Sequence, residues 1–218
     1  MTTQQENAGA VSLLFRLWSR VYDNPLPQRL FYRRVHRRMV DRWRPRSGER
    51  VVDVGCGTGL FLKSLAADHD GLELTGLDLS EHMLAQARRD ARPARSPAPV
   101  FVQGSVYDLP FADGAFDVAL NSISCHFYLE QVRAFREIRR VLVPGGRLVC
   151  AALTAGLRGR ASLAGMAVYH PVPVLTEHFV QAGFEVTACE RMFPFVAVFE
   201  VRRPPTLTGG RGTGVLAG

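Results

Sequence analysis

The segment Val51-Val52-Asp53-Val54-Gly55-Cys56-Gly57-Thr58-Gly59 sets three glycines where an apolar run gives way to a helical pattern. Glycine permits positive φ and lets a ligand approach the main chain, so something is expected to lie against this loop. The spacing is GxGxG, preceded two residues earlier by an aspartate. In the GxGxxG of dinucleotide-binding loops the third glycine packs the helix on the sheet, and the difference favours a ligand without pyrophosphate. Asp78 follows 23 positions after Gly55, at the carboxyl end of the next apolar run. There its two oxygens can accept from the two hydroxyls of a ribose, so loop and acid together point to a nucleoside. Two structural alternatives stand beside this reading: Asp53 orders the turn, and Asp78 caps the helix after it. Asp108, Asp113 and Asp117 read as structural, with Asp113-Gly114 a turn signal.

Positioning these residues requires an alternation of strands and helices, and the chain from Glu49 shows one. Strands are predicted at 50–54, 72–77, 100–103, 115–120 and 147–152. Helices are predicted at 60–67, from Ser80 to about Ala91, at 131–142 and at 174–182. Pro144-Gly145-Gly146 reads as a stop between helix and strand. Residues 92–99, with three prolines, read as an exposed loop and 154–173 as a connection of mixed character. Two final strands, 184–190 and 195–201, are expected to form a hairpin, followed by a disordered tail at 204–218 rich in Gly, Pro and Thr.

A length of 218 residues fits one domain with appendages. With 47% hydrophobic and 22% charged residues the chain is not wholly disordered, and no apolar run approaches the roughly 20 residues needed to span a bilayer. Met1 to Ala10 is polar and lacks the pattern of a secretory signal, so a cytoplasmic protein is expected. Cys56, Cys125, Cys150 and Cys189 form no CxxC pair, which suggests neither a zinc site nor a disulfide framework. No metal is expected. Of the +7 formal charge all lies in residues 1–50, which hold 11 Arg against 4 acids. Phe31, Val35, Met39 and Trp43 recur every four positions among Arg33, Arg34, Arg37, Arg38 and Arg42, the pattern of a basic amphipathic helix. Three readings remain open for it: a stripe packed on the domain, attraction to an anionic membrane surface or acidic substrate, and nucleic acid.

Four segments in order, VVDVGCGTG, LTGLDLSEHMLAQAR, VQGSVYDLPFADGAFDVAL and FREIRRVLVPGGRLV, resemble the motifs of class I S-adenosylmethionine-dependent methyltransferases over about residues 50–152. Within that family they are most similar to the group holding ubiquinone/menaquinone-type and small-molecule methyltransferases. The resemblance implies a Rossmann-like α/β fold: a seven-stranded, mostly parallel sheet of order 3-2-1-4-5-7-6, with strand 7 antiparallel and helices on both faces. Residues 1–48 would be a helical cover and 49–203 the domain itself. The cofactor implied is S-adenosyl-L-methionine, with Asp53 at its amino end and Gly55, Cys56, Gly57 and Gly59 along its methionine portion. Asp78 would bind the ribose, Leu79 and Met83 the adenine, and Ser105 and Val106 the adenine edge. Asn121 would face the reactive end, and Tyr22 would come from a closing N-terminal helix. Ser105 departs from the family, where an aspartate is common, and a serine oxygen accepts more weakly.

Methyl transfer from a sulfonium is an in-line displacement with an activated leaving group, so alignment and water exclusion are the main tasks. A base is needed only for an acceptor that must lose a proton. The candidates are His126, just after strand four, and His170 in the 154–173 connection; each alternatively shapes its pocket. His36, His69, His82 and His178 are expected on the surface. Phe15, Trp18 and Tyr22 form an aromatic stripe, and the apolar character of 10–48 and 154–173 implies a small, largely apolar or lipid-like acceptor. Other readings are a nucleotide-dependent oxidoreductase, a catalytically silent methyltransferase-like binding protein, and a nucleic-acid methyltransferase. The last rests on the arginines alone, since Asn121-Ser122-Ile123-Ser124 lacks the proline and aromatic used to stack a flipped base.

Overall fold

The central strands are nearly continuous apolar runs whose side chains point to both faces of the sheet in turn, so both faces must be covered. A computed structural model describes residues 27–89, 94–155, 161–163 and 167–206. The strands are β1 (Arg50–Val54), β2 (Glu73–Asp78), β3 (Val100–Gln103), β4 (Phe116–Ser122), β5 (Leu142–Leu153), β6 (Ala161–Leu163), β7 (Ala167–Tyr169), β8 (Glu185–Phe193) and β9 (Val196–Arg202). The helices are α1 (Pro27–Trp43), α2 (Leu60–Asp68), α3 (Glu81–Arg89), α4 (Gln131–Val141) and α5 (Val172–Gln181), with a 3-10 turn at Cys125–Phe127.

Seven strands form one sheet in the order β3-β2-β1-β4-β5-β9-β8. All neighbours are parallel except around β9, which runs antiparallel to β5 and β8. Counting only strands of this sheet, the order is the 3-2-1-4-5-7-6 implied by the motifs. A separate two-stranded sheet, β6 with β7, occupies the connection after β5.

Period-2 alternation divides the interior into two cores. Val52 and Val54 of β1, Cys150 of β5 and Phe199 of β9 pack with Phe135 and Ile138 of α4 and Phe179 of α5. Val51, Leu120 of β4, Val149 and Val198 pack on the opposite face with α1 and with Leu62 and Leu65 of α2. α1 follows the stripe read in the sequence: Val35, Met39 and Trp43 are fully buried. Arg38 and Arg42 both pair with Glu190 of β8, and Trp43 donates its ring N–H to Glu49 at 2.9 Å. Arg33, Arg34 and Arg37 face outward. No described helix is long and apolar enough to cross a membrane.

Pro144-Gly145-Gly146 is not a gap before the strand. β5 already pairs with β4 at Leu142↔Phe116, bulges, and resumes at Arg147↔Val118. Gly145 has φ +80°, and a Cβ on Gly146 would come within 2.8 Å of the Val143 carbonyl oxygen, so the glycines make a bulge inside a continuous strand. Of the tail expected at 204–218, residues beyond 206 lie outside the described residues, as do Phe15, Trp18 and Tyr22.

Truncating Trp43 would empty a fully buried site between α1 and the sheet and leave Glu49 without its indole donor. Trp43→Ala is expected to lower unfolding free energy by about 3–5 kcal/mol in urea titration. A loss under about 1 kcal/mol would show that the stripe does not carry the helix.

Candidate active site

The turn from β1 into α2 is fixed at three points. Leu77 at the end of β2 accepts the N–H groups of Gly55 and Cys56 at 2.7 and 3.0 Å. Gly57 N–H donates to Asp78 Oδ2 at 2.8 Å, and Ser80 N–H donates to Asp78 Oδ1 at 2.8 Å. Asp78 therefore ties the loop to the start of α3, so the capping alternative and the loop-facing one hold together. With Leu79 N–H as a third backbone donor, the carboxylate keeps one acceptor position for a further donor. Gly55 has φ +80°, and a Cβ there would fall 2.4 Å from Ser124 Oγ. Gly57, also at positive φ, would direct a Cβ into space free of protein for 4 Å. One glycine is required by packing and the other opens the loop to a ligand. Gly59 precedes α2, and Cys56 is buried beneath the turn.

Asp53 is 1% exposed, lines the pocket above this loop, and its Oδ1 has no hydrogen-bond partner. Burial, reinforced by the charge of Asp78, pushes its pKa up to about 8. Burial also raises Asp78, opposed by its backbone donors, and raises the Cys56 thiol, which removes Cys56 as a nucleophile at neutral pH. An unpartnered carboxyl in a pocket suits a cationic ligand group, which would ionise it.

Asn121 lies deeper than a ligand-facing residue. It is wholly buried, and its amide nitrogen lies 2.8 Å from the Val54 carbonyl oxygen, 2.6 Å from Ser124 Oγ and 2.7 Å from the Tyr128 hydroxyl. Its Oδ1 accepts from Cys125 N–H at 3.1 Å. It thus holds the chain after β4 against the end of β1. Beside Asp78, Gly104 N–H donates to the Asp78 carbonyl at 3.1 Å, placing Ser105 and Val106 next to the ribose-binding candidate. Ser105 Oγ accepts from Tyr107 N–H, Val106 and Met83 are buried, and Leu79 is exposed.

His126 is 3% exposed, stacks on Tyr169 with centroids 5.2 Å apart, and has an unpartnered, buried Nδ1. Burial lowers its pKa to about 4, so the ring is neutral. His170, the next residue after Tyr169, meets His178 edge-on at 4.8 Å, and His178 Nδ1 is 2.9 Å from Gln131 Oε1. His126 thus packs on the last residue of β7 and His170 follows that residue, their rings set on different neighbours. His178 is half-buried rather than on the surface. His36 departs further from expectation: it stacks on Phe61 and lines the glycine-loop pocket with Tyr32 and Ser122. Tyr32 and His36 are one turn apart beside the buried stripe of α1, and that adjacency was the available sequence signal. Among the described residues no three His, Cys, Asp or Glu side chains group to hold a metal.

Residues 52–150 match the family described as methyltransferase domain. A malonyl-[acyl-carrier protein] O-methyltransferase of Erwinia pyrifoliae is 33% identical over 171 residues, covering 78% of this chain and 62% of that protein. A demethylmenaquinone methyltransferase of Thermus thermophilus is 38% identical over 53% of this chain and 52% of its own length. The chain spans from about half to three-fifths of these relatives. Among solved structures, the [4+2]-cyclase SpnF superposes with a TM-score of 0.72 at 26% identity, covering 79% of this chain and 80% of SpnF. An S-adenosylmethionine-dependent methyltransferase of Mesorhizobium loti, with a TM-score of 0.63 at 24% identity over 78% and 96% of the two chains, shares the fold.

An acid whose pKa rises on folding binds its proton more firmly in the folded chain. Its stabilising contribution is full below its ordinary value near 4 and is lost as pH rises through about 8. Ligand-free protein should lose about 1 kcal/mol per pH unit across that window relative to Asp53→Asn, read from urea unfolding at pH 5, 7 and 9. Parallel pH profiles for the two proteins would refute the buried, protonated carboxyl.

Proposed function

We propose that the chain is a class I S-adenosylmethionine-dependent methyltransferase and that it transfers a methyl group from that cofactor to a small, largely apolar acceptor such as a quinone or a phenol, supported by the methyltransferase-domain match and the named relatives. The observation that carries this reading is the loop itself. Gly57 is anchored on Asp78, space lies open above it, and Asp53, whose buried Oδ1 has no partner, lines the same pocket. These features fit a ligand with a cationic amino acid end and a ribose.

S-adenosylmethionine, when bound, supplies an electrophilic methyl group on a sulfonium. Asp53 would hold the ammonium, Gly55, Cys56, Gly57 and Gly59 the methionine portion, and Asp78 the ribose through its remaining acceptor position. Leu79, Met83, Ser105 and Val106 would border the adenine. Asn121 acts one layer below, fixing Ser124 and Tyr128 against β1. α1 closes the pocket and excludes water with Tyr32 and His36. Tyr22, which lies outside the described residues, would join this cover.

For an acceptor that must lose a proton, His126 is the proposed base, with His170 second. His126 is neutral above its lowered pKa, so it is competent throughout the neutral range. An acceptor with a phenolic or enolic hydroxyl suits this arrangement, and the outward arginines Arg33, Arg34 and Arg37 suit delivery of a lipid-like acceptor from an anionic membrane surface. A methyltransferase-like binding protein that is silent in methyl transfer is the second reading, kept because SpnF, similar at 26% identity, is named for a reaction other than methyl transfer.

Radiolabelled S-adenosylmethionine incubated with quinones, phenols, phospholipids, acyl thioesters and RNA tests the assignment. Label is expected in the quinone or phenol fraction. Cofactor binding with no labelled product would favour the silent protein, and label confined to RNA would overturn the small-molecule reading. Asp78→Ala should weaken cofactor binding about tenfold or more, corresponding to about 1–3 kcal/mol of hydrogen bonding. Unchanged calorimetric affinity would remove Asp78 from the site. The rate with a phenolic acceptor should be flat from pH 6 to 8 as far as His126 is concerned, falling only as pH approaches 4, and His126→Ala should lower it about 100-fold. An unaltered rate in that variant would exclude His126 as base.

A further inference from the structure

α1 contributes to the glycine-loop pocket in a way its docking does not require. Val35, Met39 and Trp43 bury the helix, and Arg38 and Arg42 secure it on Glu190. His36 takes no part in either. Its ring lies flat on Phe61, with centroids 4.1 Å and planes 9° apart, and its Nε2 is 3.0 Å from Ser122 Oγ at the end of β4. The same pocket holds Asp53 with its unpartnered oxygen and the open backbone of Gly57. A polar ring is therefore fixed at two points, by stacking and by a hydrogen bond, in the wall of a pocket whose buried acid awaits a cation.

We propose that His36 is a specificity-determining residue of this pocket, an uncharged wall beside Asp53 that lets the sulfonium cofactor compete with its own thioether product. The inference rests on the reading of the loop as the S-adenosylmethionine site. The cofactor and S-adenosylhomocysteine differ by one methyl group and one positive charge, so the charge of the wall acts on the first far more than on the second. Stacking on Phe61 covers one face of the His36 ring, and burial lowers its pKa to about 3. A neutral imidazole can still share a hydrogen with Ser122, which a permanently cationic side chain could not do without opposing the sulfonium in a poorly solvated space. Asp53 supplies attraction for the cationic end, and His36 supplies a rigid surface without repulsion.

Affinities of both compounds measured by calorimetry for the wild type, His36→Gln and His36→Arg test this. His36→Gln keeps a neutral hydrogen-bonding group and should preserve the ratio of the two Kd values. His36→Arg, which stays charged, should weaken S-adenosylmethionine relative to S-adenosylhomocysteine by about tenfold or more. An unchanged ratio in a folded His36→Arg protein overturns the proposal. A second readout needs no charged variant. With ¹⁵N-labelled histidine in the wild type, the His36 ring signals, assigned by their loss in His36→Gln, should move on adding the sulfonium and move less with the thioether. Signals that respond equally to both, or to neither while binding is seen by calorimetry, also overturn it. Failure of the wild type to bind either compound would instead remove the reading of the loop on which the proposal stands.

Discussion

The carboxylate of Asp78 accepts main-chain N–H groups from two directions, Gly57 in the loop and Ser80 at the entry to α3. Hydrogen bonds to an ionised group contribute about 1.5–3 kcal/mol each, enough to offset much of the cost of burying the charge. The same two bonds hold the end of β2, the turn after β1 and the start of a helix in one arrangement before any ligand arrives. Asp53, two residues ahead of the first glycine, has no comparable donors for Oδ1 and stays protonated into the neutral range. Burial raises both acids of this loop, but backbone donors oppose the rise at Asp78, whereas Oδ1 of Asp53 has no partner to oppose it. One organises the main chain and the other lines the pocket.

A second junction joins this cofactor half to the other side of the pocket. The Val54 carbonyl, last in β1, accepts from Asn121, Ser124 and Tyr128. Gly55 must lack a side chain because Ser124 occupies the place of its Cβ. The segment leading to His126 is consequently registered against the glycine loop by a buried polar network whose members would be costly to leave unpaired. Alignment between a donor and an acceptor depends on such registration more than on any single reactive group.

Much of this was legible in the residues. Short apolar runs alternating with helical patterns declared a sheet covered on both faces, and the glycines with Asp53 and Asp78 declared the loop and its partner, because those signals are local. What was not legible depended on distant contacts. His36 looks like one more polar residue on an arginine-rich helix; only Phe61 and Ser122, supplied by α2 and β4, make it a buried ring. Asn121 sits in a motif that suggests a ligand contact, yet its amide is spent on the distant Val54 carbonyl and on Ser124 and Tyr128 of its own segment. Pro144-Gly145-Gly146 has the composition of a stop, and the ladder with β4 turns it into a bulge. In each case a side chain with several local uses was committed by a partner far away in the chain.

The β6–β7 pair forms its own sheet, outside the seven-stranded ladder, and its last residue packs over His126. Such an outboard ribbon can be lengthened, shortened or exchanged without disturbing a single rung that holds Asp53 or Asp78. The rim beside His126 and the frame beneath the glycine loop are therefore upholstery and chassis, alterable apart.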